Sequence, residues 1–173
     1  PKINGLRLPR IMPLKAIPSY LYESGQVLNM LMIEGAGQLV RDHSGHGNHG
    51  SIVGGVTWRD GSWGWALEFN GVDGRVEIPW SADWQMGNLS FTLSLWFKII
   101  AETGDWQTFI GTYTDGGMVG YWIQISSDGL TLRFHARPTD NDVYLDYNPP
   151  SSLIDNIWHF VQAGVVGGTS RFM

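Results

Sequence analysis

Leu89-Ser90-Phe91-Thr92-Leu93-Ser94-Leu95-Trp96-Phe97-Lys98-Ile99 alternates without a break. Leu89, Phe91, Leu93, Leu95, Phe97 and Ile99 share one parity, and Ser90, Thr92, Ser94, Trp96 and Lys98 share the other. A period of two sends successive side chains to opposite faces, which is strand geometry and not helix geometry. The pattern recurs further along. Val119, Tyr121, Ile123 and Ile125 alternate with Gly120, Trp122, Gln124 and Ser126, and Leu130, Leu132, Phe134 and Ala136 alternate with Thr131, Arg133 and His135. Shorter sets follow at Val143, Leu145 and Tyr147 and at Val161, Ala163 and Val165, and Val76 and Ile78 flank Glu77. Turn signals at Asp60-Gly61, Asp115-Gly116-Gly117, Asp128-Gly129 and Asn148-Pro149-Pro150 separate these runs. Many short half-buried strands with glycine-rich turns predict an all-β chain folded as a two-sheet antiparallel sandwich.

A length of 173 residues suits one well-buried domain and is short for two. With 23 Gly, 9 Trp and 16% charged residues, the composition is that of a turn-rich, aromatic-rich globular chain and not of a disordered one. There is no Cys, so neither a disulfide nor a thiolate metal site contributes. Residues 1–27 stand apart as a first segment. Pro1, Pro9, Pro13 and Pro18 oppose both helix and central strand, while Ile3, Leu6, Leu8, Ile11, Met12, Leu14, Ile17, Tyr20 and Leu21 make the segment apolar. It is expected to be an extended arm lying either on its own sandwich or on a neighbouring subunit, with residues 28–173 forming the domain. Lys2, Arg7, Arg10 and Lys15 against Glu23 give the arm a net charge of +3, which leaves −8 for the rest of a chain whose total is −5. An acidic body argues against a nucleic-acid groove, which needs a dense cationic surface, and no nucleic-acid partner is expected. No run of about eighteen apolar residues predicts a membrane helix, and no signal peptide is visible at Pro1.

Asp42-His43-Ser44-Gly45-His46-Gly47-Asn48-His49-Gly50 and Gly64-Trp65-Ala66-Leu67-Glu68-Phe69-Asn70-Gly71-Val72-Asp73 carry a resemblance. They resemble the D-x-S-G-N-G-N-x-G and G-x-A-L-x-F-D-G-x-D segments of laminin-G-like domains with the concanavalin A-like fold. Ile33-Glu34-Gly35-Ala36-Gly37 and Trp158-His159-Phe160-Val161 fit the same order. The resemblance implies a jelly roll used for sugar binding, adhesion or virion structure at a virion or cell surface. Two departures stand out. Gly74 and Arg75 occupy positions where the family often has an acid and an aromatic. Ser170-Arg171-Phe172-Met173 is where the family continues into a closing hairpin and strand, so the arm, its own or a neighbour's, is expected to fill that slot by strand addition.

Three kinds of chemistry are open to these residues. Trp96 and Trp122 have the non-core parity, so both are expected on the open side of one sheet beside Gln124, Arg133 and His135. A flat ring stacks on the apolar face of a sugar while polar neighbours read its hydroxyls, so this set is the candidate glycan site. The bland alternative is that Trp96 is covered, by residues 80–84 or by the arm. Calcium takes carboxylate, amide and carbonyl oxygens, which Asp42, Asn48, Asn70 and Asp73 could supply, and related sandwiches hold one near this turn. Against that, Asp42 and Asn70 could simply cap turn amides. His43, His46 and His49 lie in a glycine-rich turn that does not align their rings, and read as loop histidines. Catalysis is not expected, because the paired acids that a glycan hydrolase of this fold carries on one strand, in an E-x-D-x-x-E run, do not occur. Two functions follow: a non-catalytic glycan-binding module, or a virion assembly or decoration protein whose arm ties subunits together.

Overall fold

The computed structural model describes residues 25–61, 64–84, 90–112, 120–137, 143–166 and 169–172. The arm, apart from residues 25–27, lies outside them, as does the turn expected at Asp115-Gly116-Gly117. Twelve strands follow in order: β1 (Leu39–Val40), β2 (Gly50–Val53), β3 (Val56–Gly61), β4 (Gly64–Phe69), β5 (Arg75–Glu77), β6 (Phe91–Phe97), β7 (Gln107–Gly111), β8 (Gly120–Ile125), β9 (Leu132–Arg137), β10 (Val143–Tyr147), β11 (His159–Val166) and β12 (Thr169–Phe172). A 3-10 turn spans Ala82–Trp84. Among the described residues no helix is long and apolar enough to cross a membrane.

Two antiparallel sheets form the sandwich, one with strand order β10-β9-β8-β7 and one with order β12-β11-β6. Their inner faces are the predicted apolar sets. Tyr121, Ile123 and Ile125 of β8 and Leu132, Phe134 and Ala136 of β9 meet Phe97 of β6 and Val161, Ala163 and Val165 of β11 in one buried cluster. Ile123 and Phe134 are 0% exposed, and each such side chain contributes about 1.5–3 kcal/mol through burial. Aromatic rings bridge the layers: Phe91 meets Tyr121 at 4.8 Å and Phe97 stacks on Phe109 at 4.4 Å. Burial pushes the Tyr121 phenol up to about 12. Outside the sandwich, β1-β2-β5 make a small sheet and β3-β4 a hairpin.

Two details differ from the sequence reading. Leu130 shares the parity of Leu132 but is exposed, because Gly129 at φ 71° and the Ser126–Thr131 backbone bond (2.9 Å) close a turn that ends before β9 begins. Asp60-Gly61 is not a turn but the end of β3. Gly61 is paired with Gly64 of β4 and so still belongs to the strand.

Candidate functional site

The outer face of the four-stranded sheet is built by the residues alternating with the core positions. Trp122 and Gln124 come from β8, Arg133 and His135 from β9, and Tyr144 and Asp146 from β10. Register places Arg133 directly between Gln124 and Asp146. Arg133 grips Asp146 in a bidentate pair, Nε to Oδ1 and Nη2 to Oδ2, both at 2.8 Å. That pair holds the Asp146 carboxyl below the usual carboxylate range and raises the guanidinium. The same guanidinium carbon lies 4.7 Å from the Trp106 ring and 5.5 Å from the Tyr144 ring, within reach of a cation–π attraction on both sides. Tyr144 then stacks on His135 with centroids 4.4 Å apart and planes 7° from parallel, and His135 meets the edge of Trp122 at 3.8 Å. Gln124 donates from Nε2 to Thr108 Oγ1 at 3.0 Å, which fixes its carboxamide on β7.

A continuous row therefore crosses the sheet: Trp106, Arg133, Tyr144, His135, Trp122. Access differs along it. Tyr144 is 55% and Trp106 38% exposed, whereas His135 is 4% exposed beneath its ring neighbours. The open part is thus two aromatic faces flanking a neutralised charge pair, with Gln124 beside it.

Four of the five expected glycan residues, Trp122, Gln124, Arg133 and His135, do share this face. Trp96 does not. It belongs to β6 in the opposite sheet, where it packs on its register partner Phe160 at 5.2 Å and remains 55% exposed. Parity distinguishes inside from outside but not one sheet from the other, which is why Trp96 and Trp122 looked alike. His135, expected beside Trp122 as a polar neighbour, is on this face but buried under Tyr144. Trp106, Thr108, Tyr144 and Asp146 join the site without having been expected in it. The signal for Tyr144 and Asp146 existed, since they have the opposite parity to Val143, Leu145 and Tyr147. Trp106 precedes β7, whose register is broken between Thr108 and Ile110, and has no periodic signal.

The candidate calcium ligands fall into two separate turns. Asp42 is buried and accepts four hydrogen bonds, from Asn29 N and Ser44 N at Oδ1 and from Ser44 Oγ and Asn48 N at Oδ2, at 2.7–2.9 Å. Burial pushes its carboxyl up, but the bonds from Ser44, Asn29 and Asn48 outweigh that and hold it below the ordinary value. Asn48 donates through Nδ2 to Val27 O and Asp83 Oδ2. At the other end of β2, about 10 Å of strand away, Asn70 Oδ1 accepts from the amides of Val72, Asp73 and Gly74, and Asp73 Oδ1 accepts from Gly55 N and Asn70 Nδ2. Both turns are Asx caps, and among the described residues no group of three His, Asp or Glu side chains is placed to hold a metal ion. The histidines diverge: His46 Nδ1 meets Asp83 at 3.0 Å, and His49 Nδ1 accepts from Asp42 N at 3.0 Å, which puts its ring proton on Nε2.

The family model for the concanavalin A-like lectin/glucanases superfamily, of laminin-G type, matches residues 70–173, which include both sheets of the sandwich and the whole of the outer face described above. Comparison with curated proteins and with solved structures found no match.

Proposed function

We propose that this chain, which belongs to the concanavalin A-like lectin/glucanases superfamily, is a non-catalytic module that binds neutral glycan on the outer face of its four-stranded sheet. The observation that carries the reading is the Trp106–Arg133–Tyr144 row with Asp146 clamped to Arg133. Tyr144 and Trp106 offer flat faces for the apolar side of a pyranose. The paired guanidinium and carboxylate offer N–H donors and oxygen acceptors side by side, the arrangement that meets neighbouring hydroxyls. Both side chains are ordered before a ligand arrives, which lowers the entropic cost of binding. The pair cancels its own charge and the rest of the chain is acidic, so sulfated or carboxylated sugars are disfavoured. Asp146 is held as a carboxylate and so does not supply the proton that glycoside hydrolysis requires.

Glycan-array screening followed by calorimetry on the best ligand tests this. Tyr144→Ala and Trp106→Ala should each weaken binding by about tenfold or more, the loss of one stacking contact. Trp96→Ala, on the other sheet, should leave affinity unchanged. Retained binding in the first two variants, or its loss in the third alone, would overturn the assignment.

A further inference from the structure

At one end of the sandwich the two sheets part around a cleft of about 310 Å³. β6 and β10 end there and β9 and β11 begin there, so Phe97 and Leu132, core residues of opposite sheets, form its floor. Tyr147, Pro149, Pro150 and Leu153 are among its apolar walls. The loop that closes it is pinned on both sides. Leu153 N donates to Gly129 O at 3.0 Å, Ser152 Oγ donates to Asp128 O at 2.7 Å, and Asn156, at φ 60°, donates its N–H to Ile99 O at 3.0 Å. The cleft is therefore preformed.

An ionisable pair sits at its mouth. His159 has the inward parity of Val161, Ala163 and Val165, and its ring lies 5.5 Å from Phe97. Its Nε2 meets Asp155 Oδ1 at 3.0 Å and Oδ2 at 3.1 Å, and Asp155 Oδ1 also accepts from Ile157 N at 2.9 Å. The hydrogen bond from His159 keeps the Asp155 carboxyl below its usual range. What the pair still offers is acceptor capacity on the Asp155 carboxylate, whose oxygens keep lone pairs, at the lip of an apolar space.

We propose that this cleft is a second binding site, for a small planar aromatic molecule bearing an O–H donor, a phenol, with its ring between the apolar walls and its hydroxyl on the Asp155–His159 pair. Size and polarity agree. The volume is at the lower end of ligand pockets, the lining is mostly apolar, and the carboxylate at its lip is an acceptor that demands a donor. The site is on a different part of the molecule from the glycan face and does not depend on that reading.

The test is a matched pair of probes, p-cresol and toluene, which differ by one hydroxyl. Amide shifts followed by NMR on the unmodified protein should saturate with p-cresol at residues 129 and 153–157, with toluene weaker by about tenfold, the worth of one hydrogen bond to a charged partner. Asp155→Ala removes the carboxylate that takes the hydroxyl, and should bring p-cresol down to the level of toluene. Leu153→Trp should fill the space and abolish the shifts of both, with a native amide spectrum confirming that each variant folds. Equal affinity for the two probes, no saturable shift with p-cresol, or shifts at residues 129 and 153–157 that survive Leu153→Trp would each overturn the proposal.

Discussion

Replacing Asp42 separates its two possible roles, turn organiser and cation ligand. The structure fixes the expected cost. Oδ1 serves Asn29 N and Ser44 N, and Oδ2 serves Ser44 Oγ and Asn48 N. Asp42→Ala strands three backbone donors in a half-buried turn, while the Ser44 hydroxyl can rotate toward water. Each lost bond to a charged acceptor costs about 1–3 kcal/mol, less where water enters the gap, so the sum is on the order of 3–5 kcal/mol. For a chain of this size that lowers the melting temperature by roughly 10 °C. Asp42→Asn keeps an oxygen for Asn29 and Ser44 but turns an NH₂ group toward the Asn48 amide, donor against donor, so about half the loss is expected. The carboxyl is depressed in the folded state. Its contribution is therefore present above the unfolded value of about 3.9 and disappears as pH falls through the folded value, so wild type and Asp42→Asn should converge in acid. Thermal melts from pH 7 to pH 3, with and without excess chelator, measure all of this. A shift under about 3 °C for Asp42→Ala would refute the hydrogen-bond account. A wild-type melting temperature that chelator lowers as much as the mutation does would refute it in favour of a bound cation.

Two further outcomes follow from packing. Gly164 of β11 faces Thr92 of β6, and a Cβ added there would run into the Phe91 carbonyl oxygen and come within 2.9 Å of the Thr92 Cα, both of them backbone atoms. Gly164→Ala should therefore cost about 3 kcal/mol by forcing the strands apart, and a melting temperature within about 1 °C of wild type would refute it. Tyr121 has its phenol pushed up to about 12 by burial. The folded state then keeps a proton that the unfolded chain loses near pH 10, so stability should hold up to about pH 10 and fall between pH 10 and 12. Denaturant midpoints followed across that range, with Tyr121→Phe as the reference, check the sign; a Tyr121→Phe curve falling in parallel with wild type would assign the loss to other groups.

Most of the sandwich could be read from parity. The alternation at Phe91, Leu93, Leu95 and Phe97 and at Tyr121, Ile123 and Ile125 gave both the strands and the faces that became the core. What parity could not supply was the assignment of strands to sheets. β6 pairs with β11, more than sixty residues away in the chain, and that pairing removes Trp96 from the face that holds Trp122. Strand order is set by long-range closure, for which an alternating run carries no local signal.

The site shows a second limit of the same kind. An outward side chain in a strand is not thereby accessible, because large neighbours on the same face cover one another. His135 points outward and is buried, while Tyr144, one strand over and opposite it in register, is exposed because it lies on top. The imidazole is the better base for a stack than for a sugar, and the phenol above it inherits a fixed orientation. Arg133 obeys the same logic. Its charge is spent on Asp146 and its flat face on Trp106 and Tyr144, so a residue expected only as a polar neighbour of the tryptophans becomes the centre of a neutral surface. A surface whose polar groups are held in place by one another presents them at fixed spacing. Specificity for hydroxyl geometry should therefore fall with Arg133→Lys, which keeps the charge and loses the fork, before affinity is lost altogether.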